Sequence, residues 1–306
     1  MSKKYIIGID LGGTNLKVAL VGPDFKIKDR LVLSTADFNE KSGLIQAIIF
    51  AVTRIIASNQ CAKSAVLGVG LGLPGPIDAD KGLVHFFPNI PGWKEVYLKK
   101  ILEQKIKLPV FIDNDANLMA LAESRMGAAK GMRNAVCITL GTGVGGGIII
   151  DNRLYRGSTF SAGEIGHMPV NEKGPDCNCS GFACLEAYIG NKKLLNHAKS
   201  AFGRQISLEE LSRLSAKKNR KAVLIWERMA QRLGVVLSGI VNLLNPDCIV
   251  IGGGVANAGR IIFDQVKENI LTRAMVVQAK HVKIVRARLG SDAGMIGAAL
   301  LVKESV

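Results

Sequence analysis

The sequence predicts an α/β protein built from two domains, and three observations support this prediction. The chain has 306 residues, which is long enough for two domains of ordinary size. Apolar residues make up 48% of it and 34 residues are glycine, a composition typical of folded α/β proteins with many tight turns. Short apolar runs that end at Gly or Asp alternate along the chain with longer segments of helical periodicity.

The individual elements follow from the spacing of the apolar residues. Compact apolar runs rich in β-branched residues read as buried strands, and they cover residues 5–9, 66–69, 110–112, 135–140 and 249–251. Apolar residues three and four apart predict helices over residues 44–58, 116–126, 208–214, 223–244 and 261–271.

Two segments share one plan, which indicates a duplicated unit. Residues 6–21 read IIGIDLGGTNLKVALV, and residues 135–150 read AVCITLGTGVGGGIII. Each is a strand, a Gly-rich turn and a second β-branched strand, so each predicts a hairpin. Backbone amides at both hairpin tips can face an anion.

The second segment also contains a dinucleotide-binding pattern, because Gly141, Gly143 and Gly146 spell G-x-G-x-x-G and Glu164 follows at a suitable distance. That fingerprint requires a helix to begin at the glycines, so that the helix N-terminus holds the pyrophosphate. Residues 147–150 continue instead as a strand. The pattern therefore favours a hairpin over a dinucleotide fold.

The cysteines fall into two groups. Cys61, Cys137 and Cys248 stand singly in apolar segments and are expected in the core. Three others lie close together, and with a nearby histidine they predict a closed tetrahedral Zn²⁺ site, the alternatives being free thiols or a redox role. The proposed ligands are His167, Cys177, Cys179 and Cys184.

The charge pattern and the N-terminus bear on location and partners. The net charge is +15, but the basic residues are scattered, and the densest group, near residues 217–221, has no interleaved aromatic residues. We therefore expect a solvated basic face and no nucleic-acid partner. No secretory signal is evident, and the apolar stretch 233–244 is too short to cross a bilayer. The protein is expected in the cytoplasm and away from membranes.

Six short patterns, in the same order along the chain, resemble the ROK family of sugar kinases. They are Asp10-Leu11-Gly12-Gly13-Thr14, Asn114-Asp115-Ala116-Asn117, Leu140-Gly141-Thr142-Gly143, Glu164-Ile165-Gly166-His167, the cysteine cluster and Ile251-Gly252-Gly253-Gly254. The resemblance runs from residue 5 to about residue 300. It implies the two-domain actin-like, ribonuclease-H-like ATPase fold, with a sugar bound in a cleft between the domains. We place the smaller domain at 1–115 plus 289–306, and the larger domain, with the cysteine cluster, at 116–288.

Phosphoryl transfer requires a cradle for the phosphates of ATP. Gly12, Gly13 and Thr14 can offer main-chain amides and a hydroxyl at the first hairpin, and by resemblance Gly141, Thr142 and Gly143 offer the second cradle. Asp10, at a strand end, is placed to hold Mg²⁺ through water, as in the family, or merely caps the turn. Lys17 reaches the phosphates or is an exposed strand lysine. The family places adenosine against Gly252, Gly253 and Gly254, which also read as a tight turn.

The sugar hydroxyl needs a general base. Asp113 and Asp115 both stand where a strand ends and a helix begins, and spacing alone does not choose between them. The family pattern selects Asp115. By resemblance, the residues that bind the sugar are Gly75, Asn89, Asn114, Asp115, Glu164, His167 and Glu186.

The cysteine cluster departs from the usual family pattern in one respect. Ser180 and Ala183 stand where the family has two glycines, with Gly181 adjacent. Glycine is favoured wherever φ must be positive, so this departure puts the backbone geometry of the cluster in question.

The resemblance implies an ATP-dependent kinase acting on a primary hydroxyl of a hexose. Glucose is the first expectation, because Glu164, His167 and Glu186 resemble the glucokinase branch, while fructose, mannose, allose and N-acetylhexosamines are alternatives. A non-catalytic sugar sensor is the alternative of another class. Some relatives are repressors with an N-terminal helix-turn-helix domain, but the first strand is expected at about residue 4, which leaves no room for one. We expect a homodimer or homotetramer, and the sequence leaves open whether polyphosphate replaces ATP.

Overall fold

The computed structural model describes residues 5–38, 40–87 and 92–306. Its strands, in chain order, are β1 (Tyr5–Leu11), β2 (Asn15–Val21), β3 (Ile27–Ser34), β4 (Val66–Leu73), β5 (Ile77–Asp78), β6 (Leu83–Phe86), β7 (Lys94–Val96), β8 (Val110–Asn114), β9 (Ala135–Leu140), β10 (Val144–Ile150), β11 (Arg153–Tyr155), β12 (Cys248–Gly252) and β13 (Lys283–Arg286). Its helices are α1 (Lys41–Ser58), α2 (Leu98–Ile106), α3 (Asp115–Arg125), α4 (Leu185–Ile189), α5 (Asn191–Phe202), α6 (Leu208–Ala216), α7 (Arg220–Leu244), α8 (Arg260–Arg273), α9 (Val276–His281) and α10 (Ala293–Ser305). Each predicted strand and helix has a counterpart among them.

The chain forms two compact units. The first comprises Met1–Ala122, Leu154–Ala162 and Ser291–Val306, and the second comprises Glu123–Arg153 and Gly163–Gly290. Our sequence-based division at 115/116 and 288/289 differs from this grouping, chiefly because it left 154–162 in the larger domain. The structure groups that segment with the first unit, where its Arg156 is paired with Asp113 on β8.

The main sheet of the first unit has the order β3-β2-β1-β4-β8. β1 and β2 form an antiparallel hairpin, while β4 and β8 run parallel to β1. The carboxyl ends of these three parallel strands therefore meet at one edge, where Asp10 pairs with Gly72 and Gly72 with Asp113. Candidate site residues from three separate segments are brought to this edge.

Helices cover the sheet of the first unit. α10 packs closely on β1 and β4, because Gly8 and Gly70 have no side chain and a Cβ atom at either would overlap a main-chain carbonyl of α10. The apolar side of α1, including Leu44 and Ile48, is buried in a separate cluster with β1, β2 and β4. The strands β5, β6 and β7 form a second, small sheet.

The sheet of the second unit repeats the plan of the first, with the order β11-β10-β9-β12-β13. β9 and β10 form the antiparallel hairpin, and β12 and β13 continue in parallel. The residues of β12 are all buried, as expected of a parallel strand covered on both faces. The prediction of a duplicated hairpin unit is confirmed. The long helix α7 contributes Trp226 and Leu233 to the core beside this sheet.

One described helix, α1, is long and apolar enough to cross a membrane by length and composition alone. The core helix of a soluble protein passes the same test. Six residues of α1 are buried, and they pack into the core of the first unit. Packing into this core accounts for the buried side of α1.

Candidate active-site residues of the two units

The hairpin of the first unit turns through Gly12, Gly13 and Thr14. The turn is closed by a hydrogen bond of 2.9 Å from the amide of Gly12 to the carbonyl of Asn15. Thr35 holds it from the side: its hydroxyl donates to the carbonyl of Gly13, and its amide donates to that of Thr14, each at 3.0 Å. A Cβ atom at Gly13 would meet nothing within 4 Å, so this tip is open.

Asp10 stands on β1 beside this turn, opposite Lys17 on β2. Their charged atoms are 3.7 Å apart, and the Lys17 ammonium group also donates to the carbonyl of Ser291 at 3.4 Å. Burial raises the pKa of Asp10, and the charge and hydrogen bond of Lys17 only partly oppose this shift. The carboxylate is thus incompletely neutralised in the protein, which suits a group that receives a cation.

Asp113, one of the two candidate bases, is buried and fully occupied. One of its oxygens accepts two hydrogen bonds, from the amide of Asn114 at 2.7 Å and the side chain of Asn117 at 3.0 Å. The other oxygen accepts from the guanidinium group of Arg156, with both nitrogen–oxygen distances at 2.7 Å. A carboxylate with these four donors is a structural anchor, and it has little capacity left to take a proton from a substrate.

Asn114 and Asp115 form the junction between β8 and α3. The side-chain oxygen of Asn114 accepts from the amides of Ala116 and Asn117 at 2.9 and 3.3 Å, so Asn114 caps the helix. Its side-chain amide donates to the carbonyl of Gly75 at 3.1 Å and has a second N–H. Asp115 is the first helical residue, and one of its oxygens accepts from the amide of Ala116 at 2.8 Å.

The loop after β4 supplies the other sugar-site candidates of the first unit. Gly75 adopts a φ of 85°, a backbone conformation that glycine reaches without strain. Its contact with Asn114 brings it to the edge of the sheet that carries Asp115. Asn89 lies outside the described residues.

The hairpin of the second unit, at Gly141, Thr142 and Gly143, is supported from behind. Glu186 accepts a hydrogen bond of 2.7 Å from the amide of Val144, and a Cβ atom on Gly143 would overlap the same carboxylate. The amide of Asn191, at the start of α5, donates to the carbonyl of Gly141 at 3.1 Å. The tip is therefore held on both sides.

Gly252, Gly253 and Gly254 follow directly at the base of this hairpin. Gly252 ends β12 opposite Thr139 of β9. Gly253 has a φ of 85°, and a Cβ atom there would overlap the main chain of Leu140, the last residue before the hairpin turn. The alternative reading of these glycines, a tight turn, is thus present, and it places glycine backbone beside the β9–β10 hairpin.

Glu164, His167 and Glu186 lie together in the second unit. The Nε2 atom of His167 is 3.8 Å from a carboxylate oxygen of Glu164. The carboxyl group of Glu164 is about half exposed, yet the protein atoms packed around it raise its pKa; His167 opposes this shift and the charge of Glu186 adds to it. The three side chains therefore form one polar cluster.

The four predicted metal ligands also meet in the structure, with all ligand atoms within 4.8 Å of one another. Cys177 Sγ is 3.6 Å from the Nδ1 atom of His167, and the Sγ atoms of Cys179 and Cys184 are 3.7 Å apart. A tetrahedral Zn²⁺ ion, with bonds of about 2.3 Å to sulfur and about 2.0 Å to nitrogen, holds its ligands roughly 3.5–3.8 Å apart. The donor set and its spacing fit this ion.

The two departures from the family pattern occur at positions of left-handed backbone. Ser180 has a φ of 70° and Ala183 a φ of 57°. Glycine would adopt these angles without penalty, whereas other residues pay about 1–2 kcal/mol each. The ligand cluster forms in spite of this strain.

Arg156 and Asn191 are contacts that the sequence analysis missed. Arg156 is 43 residues from its partner Asp113 in the chain and belongs to no motif. Asn191 acts on the second hairpin through its main chain, so its side-chain identity carried no signal. A search for buried Asp residues that need a cationic partner would have been the one way to look for Arg156.

Comparisons with known proteins agree with these features. The ROK family model matches residues 6–305. A glucokinase from Halalkalibacterium halodurans is 36% identical over 321 aligned positions, which cover 99% of this chain and 96% of that protein. The crystal structure of a ROK family glucokinase from Streptomyces griseus in complex with glucose and AMPPNP superposes with a TM-score of 0.85 at 31% identity, covering 98% of this chain and 99% of that chain. The expected two-domain actin-like ATPase fold is confirmed.

Relatives with a regulatory role match as well. A xylose repressor from Caldicellulosiruptor bescii is 29% identical over 310 aligned positions, which cover 97% of this chain and 77% of the repressor. The same fold therefore serves both kinases and repressors.

Proposed function

Because the chain belongs to the ROK family and is a hexose kinase of that family, we propose that it transfers the γ-phosphoryl group of ATP to the primary hydroxyl of glucose. Asp115 is the general base of this reaction. The observation that carries the assignment concerns two neighbouring carboxylates: Asp113 is buried and engaged by Arg156 and two asparagines, whereas Asp115, the residue that the family pattern selects, is half-buried at the first position of α3.

The phosphate groups of ATP bind at the two hairpins. Main-chain amides of Gly12 and Gly13 and the Thr14 hydroxyl serve the first, and Gly141, Thr142 and Gly143 serve the second. Preorganised amides stabilise charge that develops during transfer without needing to reorient. The side chain of Lys17 adds a positive charge beside the first hairpin. Adenosine lies against Gly252, Gly253 and Gly254.

Asp10 is the residue that would hold Mg²⁺, through water. The fit rests on a partly buried carboxylate beside the first hairpin, whose charge Lys17 balances only in part. Mg²⁺ prefers oxygen ligands and, when bound, neutralises charge on the β- and γ-phosphates. The carboxylate of Asp10 supplies the negative charge at this position and would orient the ion.

The residues that bind the sugar are Gly75, Asn89, Asn114, Asp115, Glu164, His167 and Glu186. Carboxylates accept hydrogen bonds from sugar hydroxyls, and a site built on such bonds rejects an analogue that lacks the hydroxyl. Glucose is preferred over fructose, mannose, allose and N-acetylhexosamines because glucokinases are among the relatives.

A structural Zn²⁺ ion is held by His167, Cys177, Cys179 and Cys184. The four ligand atoms lie within 4.8 Å of one another, and a bound divalent cation would hold the three sulfurs as thiolates. The carboxylate of Glu164 faces the second ring nitrogen of His167, an arrangement common around metal-bound histidine. The enzyme works in the cytoplasm, as a homodimer or homotetramer.

The test is a coupled assay of ADP release with Mg-ATP across a panel of hexoses. Glucose should give the highest kcat/KM, and Asp115→Ala should lower kcat by a factor on the order of 10²–10⁴, the range of general-base contributions. Asp80→Ala, which removes an exposed carboxylate from the same unit, is the matched control and should leave kcat unchanged. Folded, zinc-loaded protein that turns over no hexose would favour a non-catalytic sugar sensor, the role to which the repressor relatives point.

A further inference from the structure

Glu186 connects two parts of the second unit that the sequence treats separately. It is the second residue of α4 and follows Cys184, the N-cap of that helix, by two positions. Its Oε2 atom accepts from the amide of Val144, 42 residues away in the chain. One carboxylate thus lies between the cysteine cluster and the phosphate hairpin.

The first turn of α4 is tied closely to the cysteine cluster. Cys184 is buried, and its carbonyl accepts from the amide of Ala187 at 3.0 Å. The amide of Leu185 donates to the carbonyl of Met168, the residue after His167, at 2.9 Å. Leu185 is fully buried in the core of the unit. The positions of Cys184 and His167 therefore determine the position of Glu186.

The hairpin in turn depends on Glu186. The bond to Val144 fixes the first residue after the turn, and the carboxylate fills the space that a side chain at Gly143 would need. A hydrogen bond to an ionised acceptor is stronger than one between neutral groups. Loss of this acceptor leaves the turn held on one side only, by the bond from Asn191 to Gly141.

We propose that the metal held by His167 and the three cysteines sets the affinity of the phosphate hairpin for nucleotide, with Glu186 as the positioning residue between them. The proposal rests on the proposed zinc site and on nucleotide binding at the hairpin. Metal binding locks Cys184 and His167 together, which holds the first turn of α4 and keeps Glu186 against Val144. The second oxygen of Glu186 remains for the sugar, so one side chain serves both substrates.

The test is a cycle of metal removal and substitution, read by calorimetric binding of Mg-AMPPNP. In the wild type, removing zinc with a chelator should weaken binding about tenfold, the loss expected for one charge-assisted hydrogen bond. Glu186→Ala should bind weakly with zinc present and change little further on chelation. Glu186→Gln keeps an acceptor for the Val144 amide and should retain most of the affinity. Glu172→Ala, which removes an exposed carboxylate from the segment before the cysteines, should behave as the wild type.

Amide exchange gives a second readout that does not require ligand binding. The Val144 amide should exchange faster in chelated wild type and in zinc-loaded Glu186→Ala, by a similar factor. If chelation unfolds the chain, as judged by circular dichroism, Cys179→Ser, which removes the exposed ligand, is compared in its place.

Several results would overturn the proposal. They are equal weakening by chelation in wild type and Glu186→Ala, nucleotide binding by Glu186→Ala as tight as in the wild type, unchanged Val144 exchange, or failure of the protein to take up zinc. None of these bears on whether the chain is a kinase, because the hexose assay with Asp115→Ala decides that separately.

Discussion

In the first unit, nothing lies within 4 Å of the place where a side chain on Gly13 would stand, and the same holds for Gly141 in the second unit; the second hairpin differs at Gly143, where a side chain would overlap Glu186, and at the carbonyl of Gly141, which accepts from Asn191. The two hairpins have the same strand order around them. They differ in what supports them. Among the described residues, Thr35 holds the first hairpin from the side and Glu186 supports the second from behind.

The difference shows where each unit places its rigid charges. In the first unit the fixed ion pair is at the neighbouring strand end, where Arg156 and Asp113 hold the turn that carries Asp115. In the second unit the fixed charge, Glu186, supports the hairpin itself. We infer that the first unit is built to orient the base and leave the hairpin open, and that the second is built to present phosphate-binding amides in a fixed geometry.

The largest expected effect tests whether the ion pair of the first unit holds the turn that carries Asp115. Arg156→Ala leaves the buried carboxylate of Asp113 without its cation, and removal of one partner of a buried pair costs about 3–5 kcal/mol. Urea unfolding at neutral pH measures the change. Because the turn that carries Asp115 is then less well held, kcat should fall as well, while KM for ATP changes little.

The second unit offers a matched control. Arg133 and Asp151 form a contact of 2.6 Å, slightly shorter than that of Arg156, but their side chains are 71% and 65% exposed. Exposed pairs contribute about 0–1 kcal/mol, so Arg133→Ala should change the free energy of unfolding by no more than that. Similar costs for both substitutions would show that burial of the charge is not what makes Arg156 important.

The next predictions concern two glycines, one near each hairpin. Gly253→Ala places a Cβ atom against the main chain of Leu140 at a φ of 85°, and strain with overpacking should cost roughly 3 kcal/mol of stability. Gly294→Ala, at the start of α10, places a Cβ atom against the carboxylate of Asp10, a side chain rather than main chain. The free energy of unfolding of Gly294→Ala should change by less than about 1 kcal/mol, because alanine favours a helix. Turnover of this variant with Mg-ATP should fall.

The same unfolding and turnover measurements on both variants check this pair of predictions. Gly254→Ala serves as the control for the unfolding measurement on Gly253→Ala, because a Cβ atom at Gly254 meets nothing within 4 Å. If Gly294→Ala were the more destabilising of the two, the base of the first hairpin would be as rigid as that of the second, and the contrast between the units would fail.

Much of the fold was predictable because it depends on local pattern. Apolar periodicity located the strands, and the repeated strand-turn-strand plan identified both hairpins. Long-range contacts were not predictable in this way. Arg156 and Asp113, or Glu186 and Val144, are more than 40 residues apart, and no spacing rule joins them. The grouping of 154–162 with the first unit follows from the same kind of contact.

The site was predictable to the extent that motifs name residues. The cysteine spacing, with His167, led to four ligand atoms that meet in the structure. Ser180 and Ala183, the two departures from the family pattern, adopt positive φ there. The choice between Asp113 and Asp115 was open from spacing alone. The fold bears on this choice, because it shows that the guanidinium group of Arg156 is paired with the carboxylate of Asp113.

The smallest expected effect concerns Asp10 and depends on pH. Burial raises its pKa above the ordinary value of 3.8, against the opposing effect of Lys17. In the window between 3.8 and the raised value the folded chain binds more protons at this site than the unfolded chain, so this group's contribution to stability falls as pH rises through that window.

Asp10→Asn removes the cost of the buried charge, so without nucleotide the variant should melt at a slightly higher temperature than the wild type near pH 7. The difference should shrink as the pH is lowered through the raised value, and it should vanish below 3.8, where Asp10 is protonated in both states. Thermal melts across this range, with the exposed Asp80→Asn as control, measure the effect. Turnover with Mg-ATP should fall in the same variant, because the carboxylate that receives the cation is gone. A lower melting temperature near neutral pH would mean that the pairing with Lys17 outweighs burial, and that the first hairpin, like the second, is stabilised by its charge.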